Sequence, residues 1–223
     1  MPDRAATAGS AGAGGATPIR RRQADRRAES DRRMMRAAIS LIAANGSKGV
    51  SMAQIGMAAG FSRGLPAERF GTKLALLEAV VDVIEAWFTR RVPGILAGRT
   101  GLAALEARIL GHMESVRDSS EAAIALYHLM VEAMATEPEL QARITRLNAG
   151  YRAGMLLHLQ EARAAGELRP GVDMEAHAMA IVSGMHGTAI QAVIDGETAA
   201  LGPRARYLAE VLITAIRAED GTR

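Results

Sequence analysis

The sequence contains no cysteine and only seven aromatic residues, one Trp, three Tyr and three Phe, among its 223 residues. Without cysteine, disulfides and thiolate metal sites are excluded. Because 49% of the residues are hydrophobic, the core must be built from Leu, Ile, Val, Met and Ala, which favours helices over sheets. No apolar run is long enough to cross a bilayer, and the Ala/Gly-rich start lacks the pattern of a signal peptide. We therefore expect a cytoplasmic protein without a membrane partner.

Patterns typical of catalysis and metal binding are also missing. The five histidines show neither a His-x3-His pair nor a His-Glu-x-x-His motif, and neither a phosphate-binding loop nor a nucleophile elbow is present. Asp173 and His177 are four residues apart on one helix face, a spacing that is common by chance. We expect no enzyme, no metal and no cofactor, with a helical enzyme as an alternative.

The charges are distributed unevenly along the chain. Residues 1–73 carry 13 Arg and Lys against 5 Asp and Glu, whereas residues 74–223 carry 14 against 19. A basic N-terminal third on an acidic remainder indicates a polyanionic partner at one end only. The alternative is that the Arg-rich segments are simply solvated.

Helical periodicity extends from about Asp31 almost to the C-terminus, without strand alternation or a repeat. Residues 1–17 are rich in Ala and Gly and are expected to be disordered. We predict an all-α fold of about nine helices, at about 31–45, 51–59, 63–70, 73–93, 102–117, 120–135, 139–165, 173–194 and 203–217.

The segment SMAQIGMAAGFSRGLPAERFGTK has the features of a helix-turn-helix. Ser51 and Gln54 form a capping-box pattern at the start of the first short helix. Gly60 and Phe61 form the turn, Ser62 is positioned to cap the second helix, and Thr72 is positioned to cap the helix that follows. Two short helices at a steep angle are the minimum for placing one helix in the major groove of DNA.

Residues 31–77 resemble the DNA-binding domain of the TetR family of bacterial transcriptional regulators. The matching segments are MRAAISLIAANGSKGVSMAQIGMAAGFSRG and RFGTKLALLEAV. The resemblance implies a three-helix DNA-binding domain at 31–75 and a larger helical ligand-binding and dimerisation domain at 76–223, after a disordered basic arm at 1–30. It further implies a homodimeric repressor that a small apolar or amphipathic effector releases from a pseudo-palindromic operator in double-stranded DNA.

Carried over residue by residue, the resemblance implies that Ser51 and Gln54 lie near a phosphate, that Lys73 binds the DNA backbone and that Phe70 fills the core of the small domain. The implied DNA-binding residues are Ser51, Gln54, Ser62, Arg63, Gly64, Leu65, Ala67, Arg69, Thr72 and Lys73.

The recognition helix departs from the family pattern. Ala67 stands where the family usually has an aromatic residue, most often Tyr, and Glu68 adds a negative charge that Arg69 is expected to offset. Pro66 lies within the first turn, where a missing amide donor costs little. These departures motivate an alternative function, a relative that is deficient in DNA binding and acts as a protein-interaction module.

The basic arm consists of arginines just before and at the start of the first periodic helix. An arm of this kind either reaches phosphates or an A·T minor groove or is a solvated tail. Its arginines are Arg20, Arg21, Arg22, Arg26, Arg27, Arg32 and Arg33.

The predicted helix at 173–194 is apolar nearly all round, which is typical of a helix buried on two sides. With the last helix it predicts a four-helix dimer interface; the alternative is a core helix of a monomer. The predicted interface residues are Met179, Val182, Ser183, His186, Ile190, Val193, Leu208, Val211 and Leu212.

Met, aromatic and histidine residues of the larger domain are the candidates for lining an effector pocket. The alternative for each is plain core packing, and for His128 and His158 a hydrogen-bonded or surface position. The candidates are Trp87, Phe88, Met113, Tyr127, His128, Met130, Met134, Met155 and His158.

Overall fold

The computed structural model describes residues 18–219, except for the side chains of residues 18–22 and 24. This part of the chain forms nine α-helices and contains no strand, which confirms the all-α prediction. The helices are α1 (Pro18–Asn45), α2 (Met52–Ala58), α3 (Leu65–Phe70), α4 (Lys73–Leu96), α5 (Gly101–Asp118), α6 (Ser120–Ala135), α7 (Gln141–Ala164), α8 (Met174–Ile194) and α9 (Leu201–Thr214), with short 3₁₀ turns at Pro138–Leu140 and Thr198–Ala200.

The first helix begins at Pro18, well before the predicted start near Asp31. The segment 18–30, expected to be part of a disordered arm, is therefore helical. The segment has no apolar face and is rich in residues of high helix propensity, and at its end Glu29 forms exposed ion pairs with Arg32 (2.7 Å) and Arg36 (3.7 Å). The predicted disorder of residues 1–17 and the side chains of Arg20, Arg21 and Arg22 lie outside the described residues.

Two of the three predicted caps of the helix-turn-helix are present. The hydroxyl of Ser51 accepts the N–H of Gln54 (3.2 Å), whose side-chain carbonyl accepts the N–H of Ser51 (2.7 Å). The hydroxyl of Thr72 caps α4 by accepting the N–H of Ala75 (3.1 Å). The prediction for Ser62 was wrong, because α3 starts at Leu65 with Gly64 at its N-cap and Pro66 in its first turn.

The fourth helix continues through Pro93 to Leu96, although the sequence predicted an end at Pro93 and Gly94. Pro93 removes one backbone donor, but its carbonyl still accepts the N–H of Ala97 (3.1 Å). Ala97 closes the helix in the left-handed conformation (φ +46°). A helix held by packing along its length tolerates the loss of one hydrogen bond near its end.

We call α1–α3 the head and α4–α9 the body. In the head, α1 packs against α2 and also extends onto α4 and α6 of the body. In the body, α5 is central and contacts α4, α7, α8 and α9. Among the described helices, none combines the length and the apolarity needed to span a bilayer.

Candidate DNA-reading head and candidate ligand cavity

The two helices of the helix-turn-helix approach each other closely because Gly56 has no side chain. A Cβ at position 56 would lie 2.5 Å from the carbonyl oxygen of Ser62 and 3.1 Å from Cδ of Pro66. Pro66 is buried in this contact, so the proline inside α3 packs against α2. The close approach at Gly56 was not predicted, although a glycine in the middle of a short helix was the available signal.

Most predicted DNA-binding residues lie on the surface of the head. Ser51, Gln54, Ser62, Arg63, Gly64, Ala67 and Thr72 are exposed, and Leu65 and Lys73 are half-buried. The face that bears α3 and the start of α4 is therefore accessible to a large partner.

Arg69 is placed differently from the prediction. Its side chain is only 17% exposed and forms an ion pair with Asp31 of α1, at 3.3 Å from Nε to the carboxylate. A second contact joins Arg69 to the hydroxyl of Ser30 (3.4 Å). The charge of Arg69 is therefore neutralised by Asp31 within the head, and it does not offset the charge of the exposed Glu68 beside it.

The described arginines of the predicted arm belong to α1. Arg33 lies with its guanidinium 4.7 Å from the ring centre of Phe61, so it packs on the turn of the helix-turn-helix. Arg32 pairs with Glu29, and Arg26 and Arg27 are exposed. The described arginines of the arm are therefore helical, which corrects the expectation of a disordered arm.

The head and the body are joined by polar contacts between α1 and α6. The hydroxyl of Ser40 donates to Glu121 (2.6 Å), and Glu132 accepts the backbone N–H of Ser47.

Two predicted pocket residues of α6 lie on the surface: His128 is exposed, and Met134 is 76% exposed. His128 and Met134 therefore do not line an internal cavity, which corrects their assignment to the effector pocket.

A cavity of about 450 Å³ lies inside the body between α4, α5 and α7. Of the predicted pocket residues, Phe88 and Met155 line it. Met113 and Tyr127 are buried in the core without lining this cavity, and Met130 is partly buried. The lining residues are Glu85, Phe88, Thr89, Val92, Pro93, Ile95, Arg108, His112, Ser115, Gly150, Tyr151, Gly154, Met155 and Met185.

Trp87 also lies outside this cavity. Its ring meets that of Phe88 edge to face, with centroids 4.9 Å apart, and the guanidinium of Arg91 covers it at 4.7 Å. Trp87 supports the cavity wall from behind instead of facing a ligand, because α4 directs successive side chains to different faces.

The polar groups of the cavity include three that sequence analysis did not select, Arg108, His112 and Tyr151. His112 stacks on Phe88 (5.3 Å between centroids) and meets Tyr151 edge to face (5.9 Å). Burial, followed by the nearby His186 and Arg108, lowers the pKa of His112 from 6.5 to about 3. Burial likewise raises the pKa of Tyr151 to about 12. Both side chains are therefore neutral at physiological pH.

Glu85 is the carboxylate of the cavity wall, and it is already paired. It shares the buried guanidinium of Arg143 with Asp82. This group joins α4 to α7 beside the cavity, so Glu85 is already ion-paired before a ligand enters, with two carboxylates sharing one guanidinium.

His158 was predicted to line the pocket, but it belongs to a helix-capping network. It is buried, and its Nδ1 lies 2.9 Å from the carboxylate of Glu161. Glu161 accepts the backbone N–H of Gly101 (3.1 Å) at the start of α5. The hydrogen bond from His158 is the main reason why the pKa of Glu161 is lowered. His158 therefore stabilises the start of α5.

The predicted dimer residues separate into two groups. Val182 is 6% exposed and His186 turns inward, with ring centroids 5.7 Å from Tyr151 and 6.3 Å from His112. Their assignment to the interface is corrected, because they face the interior of the body. Met179, Ser183 and Val211 are exposed, and Ile190, Val193, Leu208 and Leu212 are half-buried.

The exposed residues continue into an apolar groove between α8 and α9 that sequence analysis described incompletely. Tyr207 and Ile194 are each 71% exposed, and Val211 is 48% exposed. Large apolar side chains at such exposure mark an interaction surface when they are contiguous. Gly187, Leu208, Tyr207 and Val211 lie together in the groove.

Two family models match the chain. Residues 34–80 match the model described as "Bacterial regulatory proteins, tetR family", and residues 101–208 match "Tetracyclin repressor-like, C-terminal domain". No curated protein matches.

Solved structures share the fold at low identity. A TetR transcriptional regulator from Chloroflexus aurantiacus superposes with a TM-score of 0.73 at 23% identity, covering 87% of this chain and 100% of its own. FadR from Bacillus subtilis, in complex with stearoyl-CoA, gives 0.71 at 20% identity and covers 82% and 98%. The complex of SmeT, the repressor of the Stenotrophomonas maltophilia efflux pump SmeDEF, with triclosan gives 0.72 at 18% identity and covers 86% and 93%.

Proposed function

The chain belongs to the TetR family of bacterial transcriptional regulators, and on this premise we propose that it is a repressor that a small molecule releases from DNA. The observation that carries the proposal is the course of α4. Lys73 begins this helix at the exposed face of the head, and Phe88, Thr89 and Val92 of the same helix line the cavity. One rigid element therefore reaches both the proposed DNA site and the proposed effector site.

In the proposed complex, α3 enters the major groove and the residues around it bind phosphate. Arg63 and Lys73 supply the positive charge, while the amides near Ser51 and Thr72 lie at helix starts that favour phosphates. The proposed domains are an N-terminal arm at 1–30, a DNA-binding domain at 31–75, and a ligand-binding and dimerisation domain at 76–223. Because its proposed partner is duplex DNA, the proposed location is the cytoplasm.

The proposed active form is a homodimer held by α8 and α9. A two-fold axis would place two copies of α3 on the same face of the duplex, at half-sites about 34–36 Å apart. The exposed apolar groove around Tyr207 and Val211 supports this arrangement. Reading two half-sites requires a pseudo-palindromic operator.

Release requires that the effector binds the two states of the dimer with different affinities. A ligand in the cavity contacts α4, α5 and α7 at once, so a shift of α4 changes its contacts. The ligand then favours one separation of the two heads and lowers operator affinity by the same coupling free energy.

A gel-shift assay with the DNA upstream of the protein's own gene, at modest salt, tests the DNA-binding part. We expect a specific shift for the native chain and its loss for the double variant Arg63→Ala and Lys73→Ala. The matched control is Arg117→Ala, which removes an exposed arginine of α5 in the body. A shift that persists in the double variant would contradict the proposed contact set.

One observation favours a second candidate function. The exposed charge of α3 is Glu68, because Arg69 pairs with Asp31. A negative charge on the recognition helix weakens attraction to phosphates, and a relative deficient in DNA binding would act as a protein-interaction module. A folded dimer that shifts no upstream fragment, even at low salt, would favour this second function.

A further inference from the structure

Arg108 brings a positive charge into the wall of the cavity without a partner of opposite charge. Its side chain is partly buried on α5, and no carboxylate in the described part of the chain lies within ion-pair distance. The guanidinium crosses to α7, because its Nη2 lies 2.8 Å from the position of a Cβ at Gly154. A partly buried arginine without a counter-ion is costly, and a bound anion removes that cost.

Two neutral polar groups lie near this guanidinium. Tyr151, three residues from Gly154 on α7, has a buried hydroxyl without a hydrogen-bond partner among the described residues. His112, one turn after Arg108 on α5, likewise has a buried Nε2 without a partner in that part of the chain. Unsatisfied buried polar groups of this kind need a ligand or water to satisfy them. The remaining wall is largely apolar, with Phe88, Met155 and Met185.

The charge of the cavity favours one negative group and no more. Glu85 is already ion-paired with Arg143, which it shares with Asp82, so among the described residues of the lining Arg108 is the charged group without an ion-pair partner. A phosphate or polyphosphate group needs several cations or amides, whereas one planar guanidinium matches one carboxylate through two parallel hydrogen bonds. An amine would meet repulsion from Arg108.

We propose that the effector is an amphipathic carboxylate whose carboxyl group binds Arg108, with the hydroxyl of Tyr151 as a second donor. Its apolar body lies along Phe88, Met155 and Met185. This inference rests on the proposed function, because it names the chemical class of the molecule that enters the same cavity.

Isothermal titration calorimetry with three matched series tests the proposal. The probes are octanoate, decanoate and dodecanoate, the corresponding primary alcohols, and the corresponding primary amines, each below its micelle concentration. The three series share an apolar body and differ in the charge of the head. We expect the carboxylates to bind at least about tenfold more tightly than the alcohols, as for a charge-assisted hydrogen bond, and the amines to bind most weakly.

Variants of Arg108 test whether this residue causes the preference for carboxylates over alcohols. Arg108→Gln should remove it, so that decanoate and decanol bind equally, whereas Arg108→Lys should retain part of it because the charge remains but the bidentate geometry is lost. Tyr151→Phe should weaken the binding of decanoate several-fold and leave the binding of decanol unchanged. The matched control is Arg117→Gln, on the exposed side of α5, which should bind like the native chain. Thermal melts of each variant verify that it is folded.

Three outcomes would overturn the proposal: equal binding of carboxylates and alcohols by the native chain, an unchanged preference in Arg108→Gln, or no binding of any carboxylate in the series. The gel-shift assay separates this failure from failure of the proposed function. DNA binding that is retained without a response to any carboxylate rejects the effector class alone, whereas a folded dimer that never binds DNA rejects the proposed regulator.

Discussion

The carboxylate of Glu132 on α6 accepts the backbone N–H of Ser47, just after the end of α1, with distances of 2.9 and 3.2 Å to its two oxygens. Ser47 is completely buried. The contact therefore satisfies a buried backbone donor of the head, just after α1, with a charged acceptor from the body. It fixes the position of the head relative to α6.

Gly46, at the centre of this contact, should not tolerate a side chain. Its φ is +68°, and a Cβ there would lie 2.7 Å from Oε1 of Glu132. We expect Gly46→Ala to lower the free energy of unfolding by about 1–2 kcal/mol, from backbone strain and the displaced carboxylate. Chemical denaturation measures the change.

The control for this prediction is Gly94→Ala. Gly94 lies within α4, and a Cβ there would have no heavy atom within 4 Å. We expect Gly94→Ala to raise the free energy of unfolding by about 0.5–1 kcal/mol, because alanine loses less conformational entropy than glycine when a helix forms. A similar effect of both substitutions would show that the contact with Glu132 is unimportant.

Glu68 should weaken the proposed binding of DNA. It is exposed on α3, and the neighbouring Arg69 is occupied by Asp31. We expect Glu68→Gln to tighten operator binding about twofold, equivalent to roughly 0.5 kcal/mol for one exposed charge. Fluorescence anisotropy with labelled operator DNA measures this, with Glu114→Gln, an exposed glutamate of α5, as the control. Unchanged or weaker binding would contradict a position of Glu68 near phosphate.

His112 should make the body sensitive to acid. Because burial lowers its folded-state pKa from 6.5 to about 3, the unfolded chain binds a proton first as the pH falls. Its contribution to stability is complete above pH 6.5 and is lost progressively as the pH falls from about 6.5 towards about 3. Thermal melts at pH 7.5 and 5 should show a smaller loss for His112→Gln than for the native chain.

The exposed His128 provides the comparison for this pH dependence. His128→Gln should lose as much stability as the native chain between the two pH values, since it leaves the buried ring of His112 and its surroundings unchanged. If His112→Gln and His128→Gln both behave like the native chain, burial of His112 is not the source of the acid sensitivity.

Val211 should be essential for the proposed dimer. It is 48% exposed in the apolar groove between α8 and α9, and a charge buried there without a partner opposes association. We expect Val211→Asp to be a folded monomer by size-exclusion chromatography with light scattering, and to bind operator DNA at least about tenfold more weakly. Val131→Asp, at 57% exposure on α6, is the matched control and should stay dimeric. A dimeric Val211→Asp would place the interface elsewhere.

Local signals in the sequence predicted much of the head. The caps at Ser51 and Thr72 were found because a capping hydroxyl acts within three residues of its own position in the chain. The start of α1 was missed because the segment from Pro18 has no apolar face, which is the signal that helical periodicity detects. Arg69 was misplaced because its partner, Asp31, is distant in sequence.

The sequence by itself determined an all-helical chain with a helix-turn-helix near its start, because helical periodicity, caps and breakers act between residues a few positions apart. Only the tertiary structure decided the roles of its charged and polar side chains. It paired Arg143 with Glu85, turned His186 to the interior, and placed Arg108 in a cavity wall without an ion-pair partner among the described residues. Each outcome depends on which distant helix face lies opposite, and helical periodicity, which orients a side chain only about its own helix axis, does not contain that information.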